Sequence, residues 1–288
     1  MVARILTSDA PPVLDCDFPD PGLLRHGDTW YAYGSNPYHG PRLGTNVQLA
    51  ASPDLRTWAY LGDALPDLPP WATAGDTWAP HPVAAEDGRV LLYFAARHRR
   101  AGRHALGVAV ADGPRGPFAP LPRPLVQHPH GAIDPYVFVD GDGRRYLLWK
   151  RDGNARGRPS WICLQPLAPD GLAVAGPAQP LVTNDQPWEA GVVEAPTLWR
   201  QGGRYHLLYS AHCYLNECYK VGYAEADALR GPYRKAPAPV LASAGGRIGP
   251  GGQDVAEADG RYWLLSHGWD PDLRYRRVYL DELQWEAG

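Results

Sequence analysis

The chain has 288 residues, 44% hydrophobic and 20% charged, the make-up of a soluble globular protein long enough to bury a sizeable core. A net charge of −3, with no basic block and no acidic tail, argues against a surface that tracks nucleic-acid phosphates, and no apolar window reaches the length of a membrane span. Eleven Trp and 16 Tyr stand against only four Phe, a choice that suits stacking on an amphipathic ligand such as a sugar, and equally suits strands.

In chain order, residues 1–14 are an extended lead-in with Pro11 and Pro12. A first unit follows: DPGLLRHGDTWYAYGS turns at Gly27, NVQLAAS alternates like a half-buried strand, and Trp58–Leu61 reads as an edge strand. The Pro-rich stretch LPDLPPWATA then reads as a loop with Trp71 exposed. The second unit turns at Gly88 and continues through HALGVAVADGPRGPF, which YKVGYAEADALRGPY echoes in the fourth. The third opens on DPYVFVDGDGRRYLLWK, the fourth on VVEAPTLWRQGGRYHLLYS, and the fifth contains GGQDVAEADGRYWLLSH. Turn glycines 27, 88, 143, 203 and 260 lie 61, 55, 60 and 57 residues apart. So regular a period means one supersecondary unit repeated five times. Each unit offers about four short strands, which predicts an all-β, five-bladed β-propeller with four antiparallel strands per blade. The expected domain is 1–288, with blades at 14–65, 76–124, 132–183, 190–243 and 249–286. A pair of β-sandwiches is the runner-up, and the near-constant period argues against it. How the ring closes is left open.

Inner strands of a propeller run along its axis, so matching positions converge on one mouth. Asp134 and Glu194 lie nine residues before their turn glycines, Asp20 seven, and Trp78 takes the place in unit two. Three carboxylates gathered at one pocket raise one another's pKa, a poor choice for a core. They suit cleavage of a glycosidic bond, where one carboxyl protonates the leaving oxygen and another activates water. Trp78 either walls the pocket or packs on the axis; Phe18, Trp188 and Tyr214 flank the acidic motifs as candidates for the rim. Asp17 competes with Asp20 as base, and register favours Asp20. His39, His81 and His98 are assigned nothing. Cys16 and Cys163 read as buried thiols; Cys213 and Cys218 are near enough in sequence to bridge, which spacing does not decide.

The motifs IDPYVFVDGDGRRYLLW, VVEAPTLWRQGGRYHLLYSA and KVGYAEADALRGPY, with DFPDPGLLRHGDTWYAYGS at the start, resemble glycoside hydrolase family 43 over essentially the whole chain. The resemblance implies an inverting glycosidase with Asp20 as general base, Glu194 as general acid and Asp134 as the modulator of the acid. It implies arabinose- or xylose-containing oligosaccharides or polysaccharides as substrates, with no nucleic acid or membrane as partner. The expected activity is exo-acting α-L-arabinofuranosidase; β-xylosidase and endo-1,5-α-L-arabinanase are alternatives, and a catalytically inactive sugar-binding propeller is the alternative of another class. No cofactor is expected for the chemistry. Members of the family often read GPGH in the last blade; here Gly252 replaces that His, and His267 becomes a candidate ligand for a structural calcium on the axis. The expected location is the cytoplasm, or outside the cell with the signal peptide absent from this chain.

Overall fold

The computed structural model describes residues 2–7 and 10–286, and the expected domain limits at 1 and 288 lie outside them. The first strand, β1 (Val2–Leu6), is set aside until the end of the chain returns to it. Four sheets are laid down in sequence: β2 (Gly22–His26) to β5 (Ala59–Asp63), β6 (Ala72–Ala84) to β9 (Ala119–Pro120), β10 (Ala132–Val139) to β13 (Gln179–Thr183), and β14 (Val193–Gln201) to β17 (Arg234–Lys235). The fifth holds β18 (Ile248–Ala258), β19 (Arg261–Trp269) and β20 (Arg276–Glu286), and its outer edge is β1, with Val2 opposite Glu286 and Leu6 opposite Glu282. The protein is a five-bladed β-propeller of four-stranded antiparallel sheets. Inner strands β2, β6, β10, β14 and β18 each touch the next, and β18 touches β2, so the ring is closed. No helix among the described residues is long and apolar enough to cross a membrane.

The five turn glycines sit between the first two strands of each blade with φ from 59° to 86°, a backbone that side chains resist. The second strand of four blades carries a Leu-Leu pair whose members face opposite ways, as the period of two requires. Leu91 enters the core between blades two and three and Leu92 the core between one and two. Leu147 and Leu148, Leu207 and Leu208, and Leu264 and Leu265 divide between their own neighbouring cores in the same way. A strand buried on both faces reads as an unbroken apolar run, and each Leu fully buried contributes roughly 1.5–3 kcal/mol. The blades are therefore held by five inter-blade cores.

Trp71 is not exposed as the loop reading expected: it is buried, with its ring stacked on Phe94 at 6.3 Å between centroids. All four cysteines are free thiols, so Cys213 and Cys218 are not bridged.

Candidate active site

A backbone irregularity repeated in every blade builds the site. Pairing between the first two strands shifts register between Trp78 and His81, Ile133 and Tyr136, Glu194 and Thr197, and Gly251 and Asp254. Within each shift one residue is left-handed: Ala79 (φ 45°), Asp134 (54°), Ala195 (47°) and Gly252 (54°), and Asp20 (54°) holds the same place just ahead of β2. Such bulges re-aim side chains at a rim. The equivalent positions are therefore Asp20, Ala79, Asp134, Ala195 and Gly252. Trp78 and Glu194 each stand one residue earlier than the glycine spacing placed them.

Bulge residues and those just before them surround one cavity of about 80 Å³, lined by Asp20, Tyr38, Trp78, Asp134, Glu194, Tyr214, Tyr219 and Arg276 among others. The three expected carboxylates are brought together there, as are Trp78 and Tyr214. Trp78 Nε1 donates to Tyr38 Oη at 2.8 Å, which ties blade two to the loop after β3 (Thr29–Gly34) and forms one wall. On the opposite side, Arg276 lies beneath the rings of Tyr214 and Trp269, 5.5 and 5.6 Å from their centroids.

The carboxylates have different surroundings. Asp20 Oδ2 accepts from Ser35 Oγ at 2.6 Å, and its Oδ1 lies 3.2 Å from His267 Nδ1 and 3.7 Å from Arg276 Nη1. Burial pushes the Asp20 carboxyl up, but Arg276, His267 and Ser35 outweigh it and hold it well below the usual carboxylate range. Asp134 Oδ2 accepts the Ala195 amide at 2.9 Å; burial first, and then the charge of Glu194, push this carboxyl well above its ordinary value. Glu194 accepts from Lys150 Nζ at Oε2 and from Tyr219 Oη at Oε1, each at 2.7 Å. Burial works against the Lys150 ammonium, yet Glu194 and Asp152, the latter 2.9 Å away, hold it charged beyond the usual lysine range.

Two expected rim residues are elsewhere. Phe18 is fully buried in the core between blades five and one, lying so close over Gly34 that a Cβ there would be 2.8 Å from its ring. Trp188 packs on the core between blades three and four, stacked on Tyr209 at 6.2 Å, with its Nε1 bonded to Gln186. Asp17 is a structural residue: it accepts the amides of Tyr38, His39 and Arg276, fixing the loop and strand that carry two of the lining side chains.

His267 is also placed differently from a metal ligand. It is fully buried, burial pushes its imidazole down, and its Nδ1 takes the Asp20 amide at 3.1 Å. A Cβ on Gly252 would come within 2.4 Å of Asp20 Oδ1 and 2.5 Å of His267, so any side chain at 252 would require one of them to shift. Calcium takes six to eight oxygens. Around the axis, Asp254 spends its carboxylate on the amides of Leu23 and Val255, Asp20 on Ser35 and Arg276, and Asp134 on Ala195. No group of three or more His, Cys, Asp or Glu among the described residues is set to hold a metal. These donors do not fit a structural calcium.

Sequence reading missed Tyr38, Lys150, Tyr219 and Arg276. Only Lys150 left a trace: a cation ending the apolar run YLLW on a strand with both faces covered.

The family model for glycosyl hydrolases family 43 matches residues 10–288. An extracellular endo-α-(1→5)-L-arabinanase 1 of Bacillus subtilis is 25% identical over 292 residues, covering 93% of this chain and 85% of that one. Xylosidase/arabinosidase 43A of Humicola insolens is 37% identical over 118 residues, 38% of this chain and 35% of its own length. The crystal structure of a thermostable family-43 glycoside hydrolase superposes with a TM-score of 0.84 at 26% identity, covering 100% of this chain and 92% of the other.

Proposed function

The chain belongs to glycosyl hydrolases family 43 and is an inverting glycosidase acting on arabinan- or xylan-type sugars, and from the shape of its pocket we propose that it is exo-acting, removing a terminal α-L-arabinofuranosyl residue. The observation that carries this reading is the small cavity that holds all three carboxylates behind the Trp78–Tyr38 wall. A cavity of about 80 Å³ suits one terminal ring, whereas attack in mid-chain needs a cleft open at both ends. β-Xylosidase is the second reading, favoured by the matching segment of the xylosidase/arabinosidase.

In this proposal Asp20 is the base. Arg276 and Ser35 keep it ionised, so that it takes a proton from the water whose oxygen attacks the anomeric carbon. Glu194 gives its proton to the leaving oxygen as the glycosidic C–O bond breaks. Lys150 and Tyr219 both donate to Glu194 and are placed to hold the carboxylate that this donation leaves. Asp134 and Glu194 resist joint ionisation, which is how Asp134 modulates the acid, and Asp134 fixes the Ala195 bulge beside it. Trp78 and Tyr214 bind sugar.

Hydrolysis of 4-nitrophenyl α-L-arabinofuranoside and β-D-xylopyranoside by the wild type tests the reading. Faster turnover of the arabinofuranoside is expected; a clear preference for the xyloside would replace it with β-xylosidase. If neither is cleaved while arabinan is cut internally, exo action is wrong.

Arg276 supplies a pH prediction. The base works as a carboxylate, so activity falls as pH drops through its pKa, and the guanidinium holds that pKa low. Arg276→Met is expected to move the acidic limb of kcat/KM upward by roughly one pH unit. An unmoved limb would mean that Asp20 is not the group titrating there.

A further inference from the structure

A second cavity lies beyond the Trp78 wall, at the same end of the propeller. β7 (Val90–His98) ends and β8 (His104–Ala111) begins beside it, and with residues 127–129 they enclose about 370 Å³ lined by His98, Arg103, His104 and His128 among others. His104 joins the two cavities: its imidazole stacks on Trp78 with 3.7 Å between ring centroids. His104 Nε2 is buried without a hydrogen-bond partner, the state of a polar atom that a ligand hydroxyl satisfies. The stacked rings of Trp78 and His104 are thus what stands between the catalytic pocket and this cavity.

The connection between β7 and β8 reads RHRRAGRH and places Arg97, Arg99, Arg100 and Arg103 within seven residues, a concentration hidden by the chain's net charge of −3. Arg97 is paired with Asp76 at 2.6 Å. Among the described residues the other three have no carboxylate partner: Arg99 and Arg103 donate to the backbone carbonyls of Ala72, Ala101 and Pro129, and Arg100 is exposed. Asp152, the nearest acid from the neighbouring blade, is taken up by buried Lys150. The cavity is therefore lined by one arginine without a carboxylate partner, Arg103, with Arg99 and Arg100 exposed on the connection next to it. A guanidinium matches a carboxylate in shape as well as charge.

Resting on the pentosidase reading above, we propose that this cavity is a leaving-group subsite for an acidic sugar: the pentose in the catalytic pocket is linked to a hexuronate, whose carboxylate is bound by Arg103. His104 and His128 offer ring faces and nitrogens to its hydroxyls, while Arg99 and Arg100 add to the field at the mouth. The preferred substrates are then pentosyl side chains on uronate-bearing oligosaccharides.

The test uses two matched disaccharides, the pentose selected by the aryl assay linked to galactose or to galacturonate. Binding is read by calorimetry, and separately as competition against aryl pentoside hydrolysis. At low salt the uronate compound is expected to bind about tenfold more tightly than the neutral one, with the difference shrinking in 0.5 M NaCl as screening shortens the reach of the charges. Arg103→Gln should abolish the difference while binding of the galactose compound stays unchanged. Equal binding of the two disaccharides by the wild type, or an Arg103→Gln loss shared equally by both, overturns the proposal. Absence of aryl pentoside turnover overturns the pentosidase reading instead, and calorimetry still reports on the cavity in that case.

Discussion

Glu194→Ala is expected to lower kcat on arabino-oligosaccharides about a thousandfold and on a 4-nitrophenyl glycoside no more than about tenfold, because proton donation contributes about 10²–10⁴ only where the leaving oxygen needs a proton. A sugar alkoxide needs one; a nitrophenolate leaves without it. The variant also strips Lys150 of one of its two carboxylates, and a buried ammonium left with Asp152 alone destabilises the protein. A melting temperature measured beside the kinetics separates that loss from the chemical one, since unfolding lowers both substrates' rates alike. Equal losses on the two substrates, in a variant that is folded, would remove Glu194 from the role of acid.

The larger effect belongs to Asp20→Ala. Without a base neither leaving group helps, because water must still be activated, so both substrates should lose at least about a thousandfold in kcat while KM changes little. Asp17→Ala is the comparison that gives this result meaning. Asp17 accepts the amides of Tyr38, His39 and Arg276 and touches no lining atom as a base would, so its loss should lower the melting temperature and spare part of the activity. A folded, inactive Asp17→Ala beside an active Asp20→Ala would exchange the two assignments.

The blades were legible because each carries a turn glycine with positive φ, and four of them also carry an apolar pair split between two cores. The carboxylates were legible as types and as a group. Their register was not, because the left-handed bulge residue lies seven, nine or eight residues before its glycine according to the blade, and spacing alone merges Glu194 with the position of Ala195. Phe18 and Trp188 failed for a related reason: nearness to an acidic motif along the chain says nothing about which side of the strand a ring takes. Lys150 and Arg276 were hidden because each meets a site carboxylate, Glu194 and Asp20 respectively, across blades. The crowding of Gly252 by Asp20 and His267 shows only in three dimensions.

The pairing of β1 with β20 sets the order in which the protein can become active during synthesis. Asp20 emerges from the ribosome early, and Ser35 soon after it, but two of the groups that hold its carboxylate, His267 and Arg276, are translated last. The fifth blade must join its last strands to the first strand of the ring, a contact of very large sequence separation and therefore slow to form. Four blades can be complete on a nascent chain while the base is still without its guanidinium. Hydrolytic competence is then a property of the finished ring, and a chain stalled before residue 267 carries sheets and cores but no organised catalyst.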